Sequence, residues 1–448
     1  IIASIIPYNV PLIDIFGQAL YAVFMFRMPN FFRAASLRFV RVPLFFLVFL
    51  LISSCGSGKP VAAFEKEELF DLHYGSFENE LSLFDLRVPG EIRTSLVMNE
   101  GFFYIANAEA AKIMELTSYG DLIGILYNAD KNPVPSFVSL SGSKTVSALD
   151  SSGAVSTQHA VAYPFNSLSV LAVDSGKRLY AADILPRERF VFDEKTKTVL
   201  RSAVLRFEND GSFIDYLGQE GPGGTPFPHI KNIYTTKQNE LVVVCLIENG
   251  YSVFWFSRDG HLKYRVPIQP SSFPPYEADN GESVFASLEQ VIPDYTQPVL
   301  YLKIDYYPAE IDASTRVQSG MKFDKTLLYP LNLETGLYGE PIAVPDFEQT
   351  VTYGYTKEVF SMSYDFLGLT EMQWFFFITA DESGFSILML KENGQKIIRR
   401  HLDMDMESVV YHNFSLSPSG IISALIAWED KASVMWWRTD TLIAAIIK

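Results

Sequence analysis

From residue 91 onward the chain alternates apolar runs of five to eight residues, dense in Val, Ile, Phe, Tyr and Trp, with clusters of Gly, Asn, Asp and Ser. Short apolar runs bounded by turn residues predict β-strands. Long stretches with apolar residues at helical spacing are absent. A turn followed by a short strand recurs at Tyr119-Gly120-Asp121, Asn209-Asp210-Gly211, Arg258-Asp259-Gly260, Glu334-Thr335-Gly336 and Glu392-Asn393-Gly394, with a degraded copy at Arg438-Thr439-Asp440. Gly, Asn and Asp tolerate the positive φ that tight hairpins demand. A second turn precedes several of these by about twenty residues, as at Asn99-Glu100-Gly101, Gln238-Asn239-Glu240 and Ser417-Pro418-Ser419-Gly420.

Two hairpins per repeat make four strands. In the third repeat the pattern predicts strands at 231–237, 241–248, 252–257 and 261–267, and in the sixth at 410–416, 421–428, 432–437 and 441–447. The other repeats span 91–127, 168–218, 286–340 and 358–402. A radial array lets each sheet bury both faces against its neighbours and leaves few edges exposed. The expected fold is therefore all-β, a six-bladed β-propeller of four-stranded antiparallel sheets within one domain over 64–448. A stacked pair of β-sandwiches is the alternative. Because the sixth repeat already counts four strands, the extended segment 64–86 is expected as an extra edge strand or a wrap along the rim rather than as the closure of the ring.

The second repeat reads Leu171-Ala172-Val173-Asp174-Ser175-Gly176-Lys177-Arg178-Leu179-Tyr180-Ala181-Ala182-Asp183 and then Val204-Leu205-Arg206-Phe207-Glu208-Asn209-Asp210-Gly211. It resembles an NHL repeat, as does Gly101-Phe102-Phe103-Tyr104-Ile105-Ala106-Asn107 in the first. Ahead of the repeats, Arg33, Arg38 and Arg41 precede an apolar run of about ten residues ending at Leu51-Ile52-Ser53-Ser54-Cys55-Gly56. A basic segment, a short apolar core and small residues before a cleavage site describe a signal peptide. The core is shorter than the roughly 20 residues a membrane-crossing helix needs. Small residues directly before Cys55 resemble a bacterial lipobox, which implies that Cys55 receives a diacylglyceryl group and becomes the first residue of the mature chain. Residues 28–54 then form the signal peptide and 55–63 a lipidated Cys with a flexible tether. Residues 1–27, which begin at Ile1, read as a non-native extension. Together the motifs resemble the NHL-like propeller lipoproteins of spirochaetes.

Composition narrows the partners. The chain has 448 residues, 48% of them hydrophobic, and a formal net charge of −16. That apolar content excludes a disordered chain. The acidity, with no dense basic run after residue 54, excludes nucleic acid as the main partner. With Cys55 acylated, Cys245 is the remaining thiol. No intramolecular disulfide is then available.

In a blade whose strands a to d run outward from the axis, the a–b and c–d turns share one face and the b–c and d–a loops share the other. The long insertions, 128–167, 184–202, 268–285 and 307–324, fall on the second face. Loops of such length are uncommon unless they bind something or are mobile. That face is the expected interaction surface. On it, Ile268-Gln269-Pro270-Ser271-Ser272-Phe273-Pro274-Pro275-Tyr276 combines prolines with rings, which makes Phe273 and Tyr276 the candidate partner-binding residues.

Catalytic motifs are not evident. His73, His159, His229, His261, His401 and His412 show no metal-ligand spacing, and Asp403-x-Asp405-x-Glu407 lacks the Gly and distal Glu of an EF-hand. No Gly-x-Ser-x-Gly elbow occurs. No cofactor and no metal is expected. His159, His229 and His412 lie near the starts of innermost strands, which leaves open an envelope hydrolase or lyase with an axial metal. Trp374-Phe375-Phe376-Phe377 and Met435-Trp436-Trp437 leave glycan binding open. The expected function is a non-enzymatic binding or scaffold module with an envelope protein as partner. It would be held to the membrane through Cys55 and located at the outer rather than the inner membrane.

Overall fold

The computed structural model describes residues 63–84, 91–138, 158–194, 196–277, 283–312, 314–353, 356–391 and 393–447. They form a six-bladed β-propeller. Blade 1 is Ser95–Asn99, Phe102–Asn107, Lys112–Leu116 and Leu122–Tyr127, with His159–Ala162 added in parallel outside. Blade 2 is Leu168–Val173, Leu179–Ile184, Ser202–Phe207 and Phe213–Gly218. Blade 3 is His229–Thr235, Leu241–Ile247, Gly250–Phe256 and Leu262–Ile268. Blade 4 is Val284–Pro293, Val299–Ile311, Lys325–Asn332 and Ile342–Val344. Blade 5 is Asp365–Leu369, Phe375–Asp381, Gly384–Lys391 and Lys396–Asp403.

Blade 6 takes three strands from the end of the chain, Tyr411–Leu416, Ile422–Ala427 and Lys431–Trp437. Its outermost strand is Glu67–His73, which runs antiparallel along Lys431–Trp437. The N-terminal segment therefore closes the ring, which corrects the expectation that it lies outside the closure. Segment 441–447, expected as the fourth strand, belongs instead to helix α1 (Thr439–Ile447). Leu442, Ile443 and Ile446 fall on one side at helical spacing, and they pack on the blade 5–6 core. With the outer edge of blade 6 already occupied, this segment has no strand edge to pair with. Residues 358–362, expected inside the fifth blade, belong to a separate ribbon, Phe347–Tyr353 paired with Thr356–Met362.

Each blade interface holds its own apolar cluster. Leu96 and Phe103 meet Leu425, Val434 and Leu72 between blades 1 and 6. Val243 and Phe254 meet Val204 and Tyr180 between blades 2 and 3, while Phe376 and Met389 meet Ala424 and Trp437 between blades 5 and 6. Central strands are consequently buried on both faces and read as continuous apolar runs, such as Leu241-Val242-Val243-Val244-Cys245. Cys245 is fully buried there as a small core residue. Trp374, Phe376, Phe377 and Trp437 are also buried, so their rings offer no platform to a sugar.

Candidate functional site: the axial channel and the long-loop face

The innermost strand of every blade turns one row of side chains toward the axis. Small polar residues in that row stitch neighbouring blades together. Asn413 Oδ1 accepts from Leu96 N at 2.8 Å, Ser95 Oγ donates to Ser169 O at 2.9 Å, and Thr235 Oγ1 donates to Val173 O at 2.9 Å. The face with the a–b and c–d turns is here the lower face, and the opposite one the upper. At the lower end the channel forms a cavity of about 260 Å³ lined from all six blades, including Asn99, Asn232, Tyr295, Leu367 and Ser415. At the upper end lies a second cavity of about 420 Å³, and the two share Ser95, Val170 and Asn413.

The upper cavity carries the titratable groups. Glu91, Arg93, Asp183, His229, Lys231 and His412 line it together with Tyr411. Asp183 is buried and accepts from the backbone N–H of Asn166 at 3.0 Å and of Ser167 at 2.6 Å. Burial pushes its carboxyl above the usual range despite those two donors. Burial also holds the His229 imidazole below its ordinary value, and the nearby Arg201 and Lys231 cations add to the effect. His412 packs on Phe385 with ring centroids 4.9 Å apart, and desolvation lowers its value as well. The His229 and His412 imidazoles, the Asp183 and Glu91 carboxyls and the Arg93 and Lys231 side chains give this cavity donors and acceptors that suit hydrogen bonding to a small polar ligand. Among the described residues no group of three or more His, Cys, Asp or Glu is placed to hold a metal ion.

His159, the third axial candidate, does not join them. It sits on the added strand outside blade 1, with Nε2 3.9 Å from Glu115 Oε2. His401 forms a different group on the upper rim of blade 5, where Ser383 Oγ lies 3.1 Å from Nε2 and Asp381 Oδ2 lies 3.4 Å from Nδ1. The spacing suggests a nucleophile, base and acid, but the Ser383 hydroxyl donates to Asp381 Oδ1 at 2.9 Å. The Ser383 backbone N–H binds the same oxygen at 2.9 Å, so the serine closes a turn. Asp405 similarly caps its own turn through Ser408.

Cys55 lies outside the described residues, as do residues 139–157 of the 128–167 insertion. Phe273 and Tyr276 are half-buried against the blade 3–4 core. The Tyr276 ring stacks on Tyr306 at 3.9 Å, and its hydroxyl donates to Asp324 Oδ2 at 2.5 Å. Both rings hold the 268–277 loop onto the blades.

The rings and aliphatic groups that project from the upper face are others. Three hairpins rise there: Val191–Asp193 with Thr198–Leu200 from blade 2, the end of Val299–Ile311 with Gln318–Met321 from blade 4, and the ribbon between blades 4 and 5. They expose Val191, Phe192 and Val199, then Ile311, Val317 and Met321, and finally Val359 and Phe360. Phe285, at the base of the blade 4 extension, is 54% exposed. The period-two alternation of Thr356-Lys357-Glu358-Val359-Phe360-Ser361-Met362 carries a strand signal, but nothing in it separates a free ribbon from a blade.

No protein-family model matches the sequence, and no curated protein matches it. The chain is similar in structure to a streptogramin B lyase at a TM-score of 0.34 and 12% identity, covering 83% of this chain and 97% of that one. An ulvan lyase gives a TM-score of 0.38 at 9% identity over 83% and 95% of the two chains. A gluconolactonase from Xanthomonas campestris gives 0.36 at 10% identity over 84% and 97%. The six blades rest on the strand pairing above, and activity does not transfer across likeness of this degree.

Proposed function

We propose that this propeller is a non-enzymatic binding module of the bacterial cell envelope, anchored through a lipid on Cys55, that holds a protein partner on its upper face. The observation that supports this most directly is the one-sidedness of the three projecting hairpins. An isolated two-stranded ribbon is marginal in water. Apolar side chains held outward on such ribbons gain stability when a partner covers them. The Phe273 and Tyr276 loop forms part of the same face, with its shape set by their packing. No helix of the described residues is long and apolar enough to cross a membrane. Attachment in this reading comes from the acylated cysteine.

Photo-crosslinking residues placed at Phe192 and Phe360, with Leu337 on the lower face as control, test the surface in intact cells. One protein crosslinked from both upper positions and not from Leu337 is the expected result. Equal crosslinking from all three, or contacts unaltered when residues 348–361 are removed, rejects it. Cys55→Ala is expected to abolish lipid labelling and release the protein from the membrane fraction.

The upper cavity favours a second reading, an envelope hydrolase or lyase acting on a small polar substrate beside His229, His412 and Asp183. A stoichiometric metal in folded, chelator-free protein would support it.

A further inference from the structure

We infer that the upper cavity is a binding site for a small oxyanion, a phosphate or a carboxylate, held by Arg93, Lys231 and Arg201 at the mouth of the channel. The inference deepens the second reading above by naming the class of ligand, and it requires neither catalysis nor acylation of Cys55. Arg93 stands just ahead of the innermost strand of blade 1 and Lys231 within the innermost strand of blade 3, and both line the cavity. Arg201 directly precedes the third strand of blade 2, and Lys131 follows the outermost strand of blade 1. Lys131 lies close enough to Asp183, and Arg201 to His229, for each cation to act on that group's charge.

Cations are the minority charge of this chain, 36 Lys and Arg against 52 Asp and Glu, so carboxylates are in excess for pairing. Arg178, Arg206, Lys263 and Lys303 each have one at 3.1 Å or less. Among the described residues, none of the four cations around the cavity has a carboxylate within 4.0 Å. Arg93 hydrogen-bonds the Ser167 hydroxyl, and Lys131 Nζ donates to the Asn166 carbonyl at 3.4 Å. Both of these contacts are to neutral groups. Unpaired cations gathered at one opening repel one another, and an anion placed between them turns that repulsion into attraction.

Two of the nearby carboxyls are turned to the protein's own donors. Asp183 takes one backbone N–H on each oxygen, and Glu109 accepts from Arg93 N at 2.9 Å and from Thr94 Oγ1 at 2.6 Å. Glu91 is exposed at the rim, where its charge opposes an anion and its oxygens can accept from a ligand hydroxyl. Even with all three ionised, four cations leave a local excess of positive charge in a chain whose net charge is −16. The His229 and His412 rings line the same space and make no hydrogen bond to a described residue, so each has a ring N–H for a ligand oxygen. The volume of about 420 Å³ is that of a small-molecule site. The lower cavity has no charged residue in its lining, which confines selection for an anion to the upper end.

The test uses the full chain, purified in detergent and titrated calorimetrically with pyrophosphate and, separately, with citrate at roughly 0.15 M salt, where diffuse surface attraction is screened. Saturation at one anion per chain is expected, and the tighter of the two probes tells a phosphate ligand from a carboxylate one. Lys231→Ala and Arg201→Ala are each expected to weaken that binding at least about tenfold, the loss of one charge-assisted hydrogen bond. Lys197→Ala, on the blade 2 ribbon, is expected to leave it unchanged. Failure of both probes to saturate, or an affinity that Lys231→Ala and Arg201→Ala leave intact, overturns the inference. An equal loss in Lys197→Ala overturns it too, because the attraction then belongs to the surface at large. Metal analysis of the same preparation before titration reads the catalytic alternative separately. Anion binding without a stoichiometric metal leaves the site standing and removes the support for an axial-metal enzyme, whereas a stoichiometric metal without anion binding does the reverse.

Discussion

Lys112 is a side chain whose burial no local pattern announces. It is fully buried at the start of a blade 1 strand, with Nζ donating to the Phe77 carbonyl at 2.5 Å. Burial pushes its pKa down to about 8, against the opposing pull of Glu80 and Glu78. Below that value the amine is charged in both states and the folded protein carries the full cost. Between about 8 and the ordinary value of 10.5 the unfolded chain binds more protons, so stability rises with pH. Relative to Lys112→Met, the parent is therefore expected to gain on the order of 3 kcal/mol over that window, read from urea midpoints at each pH. His229 behaves in the same sense at lower pH. Its lowered value makes the folded state resist protonation, so stability falls as the pH drops below 6.5. His229→Gln is expected to flatten that part of the stability profile. Gly250 and Gly384 open the third strands of blades 3 and 5 at φ of 118° and 144°. A Cβ on Gly250 would lie 2.1 Å from the Ile268 carbonyl oxygen, which explains the glycine at this tight b–c turn.

Among the elements, the closing strand shows most clearly where local pattern stops being informative. Glu65-Lys66-Glu67-Glu68-Leu69-Phe70-Asp71-Leu72-His73 is acidic at its start and has few apolar residues, as suits an outermost strand with one solvated face. Its place in blade 6 depends on a partner more than 350 positions away, Lys431–Trp437. Leu72 is buried against the blade 1 and blade 6 core. Leu72→Ala is expected to cost about 2–4 kcal/mol in chemical unfolding, as for other large-to-small core changes. The ribbon Phe347–Tyr353 and Thr356–Met362 is the opposite case, exposed along most of its length. Its removal is expected to leave the melting temperature of the propeller unchanged while abolishing crosslinking from the upper face.

At the scale of the whole molecule, each blade buries its two faces on its neighbours and no blade has a core of its own. Closure makes the last interface equal to the others, so the ring loses its structure together. Trp255, Trp374 and Trp437, in blades 3, 5 and 6, are expected to report one urea transition that coincides with the loss of far-ultraviolet dichroism. Separate transitions would show that the ring is not one cooperative unit. The same closed geometry turns six polar strand ends into an axial channel. His229 and His412 are 183 positions apart in sequence, yet they line one cavity, and His159, with a similar place before a strand, does not.

Repetition of strand and turn along the sequence was sufficient for the class of fold and the number of blades, because each hairpin is specified by residues within a few positions of one another. The one-sided insertions were legible for the same reason, since strand direction alternates through every blade. What only the tertiary structure determined was the occupant of the last blade edge, the helical state of α1, the packing of Phe273 and Tyr276 onto the blades, and the composition of the upper cavity. Each of these depends on competition between distant segments for one edge or one buried surface. Local propensity carries no record of that competition.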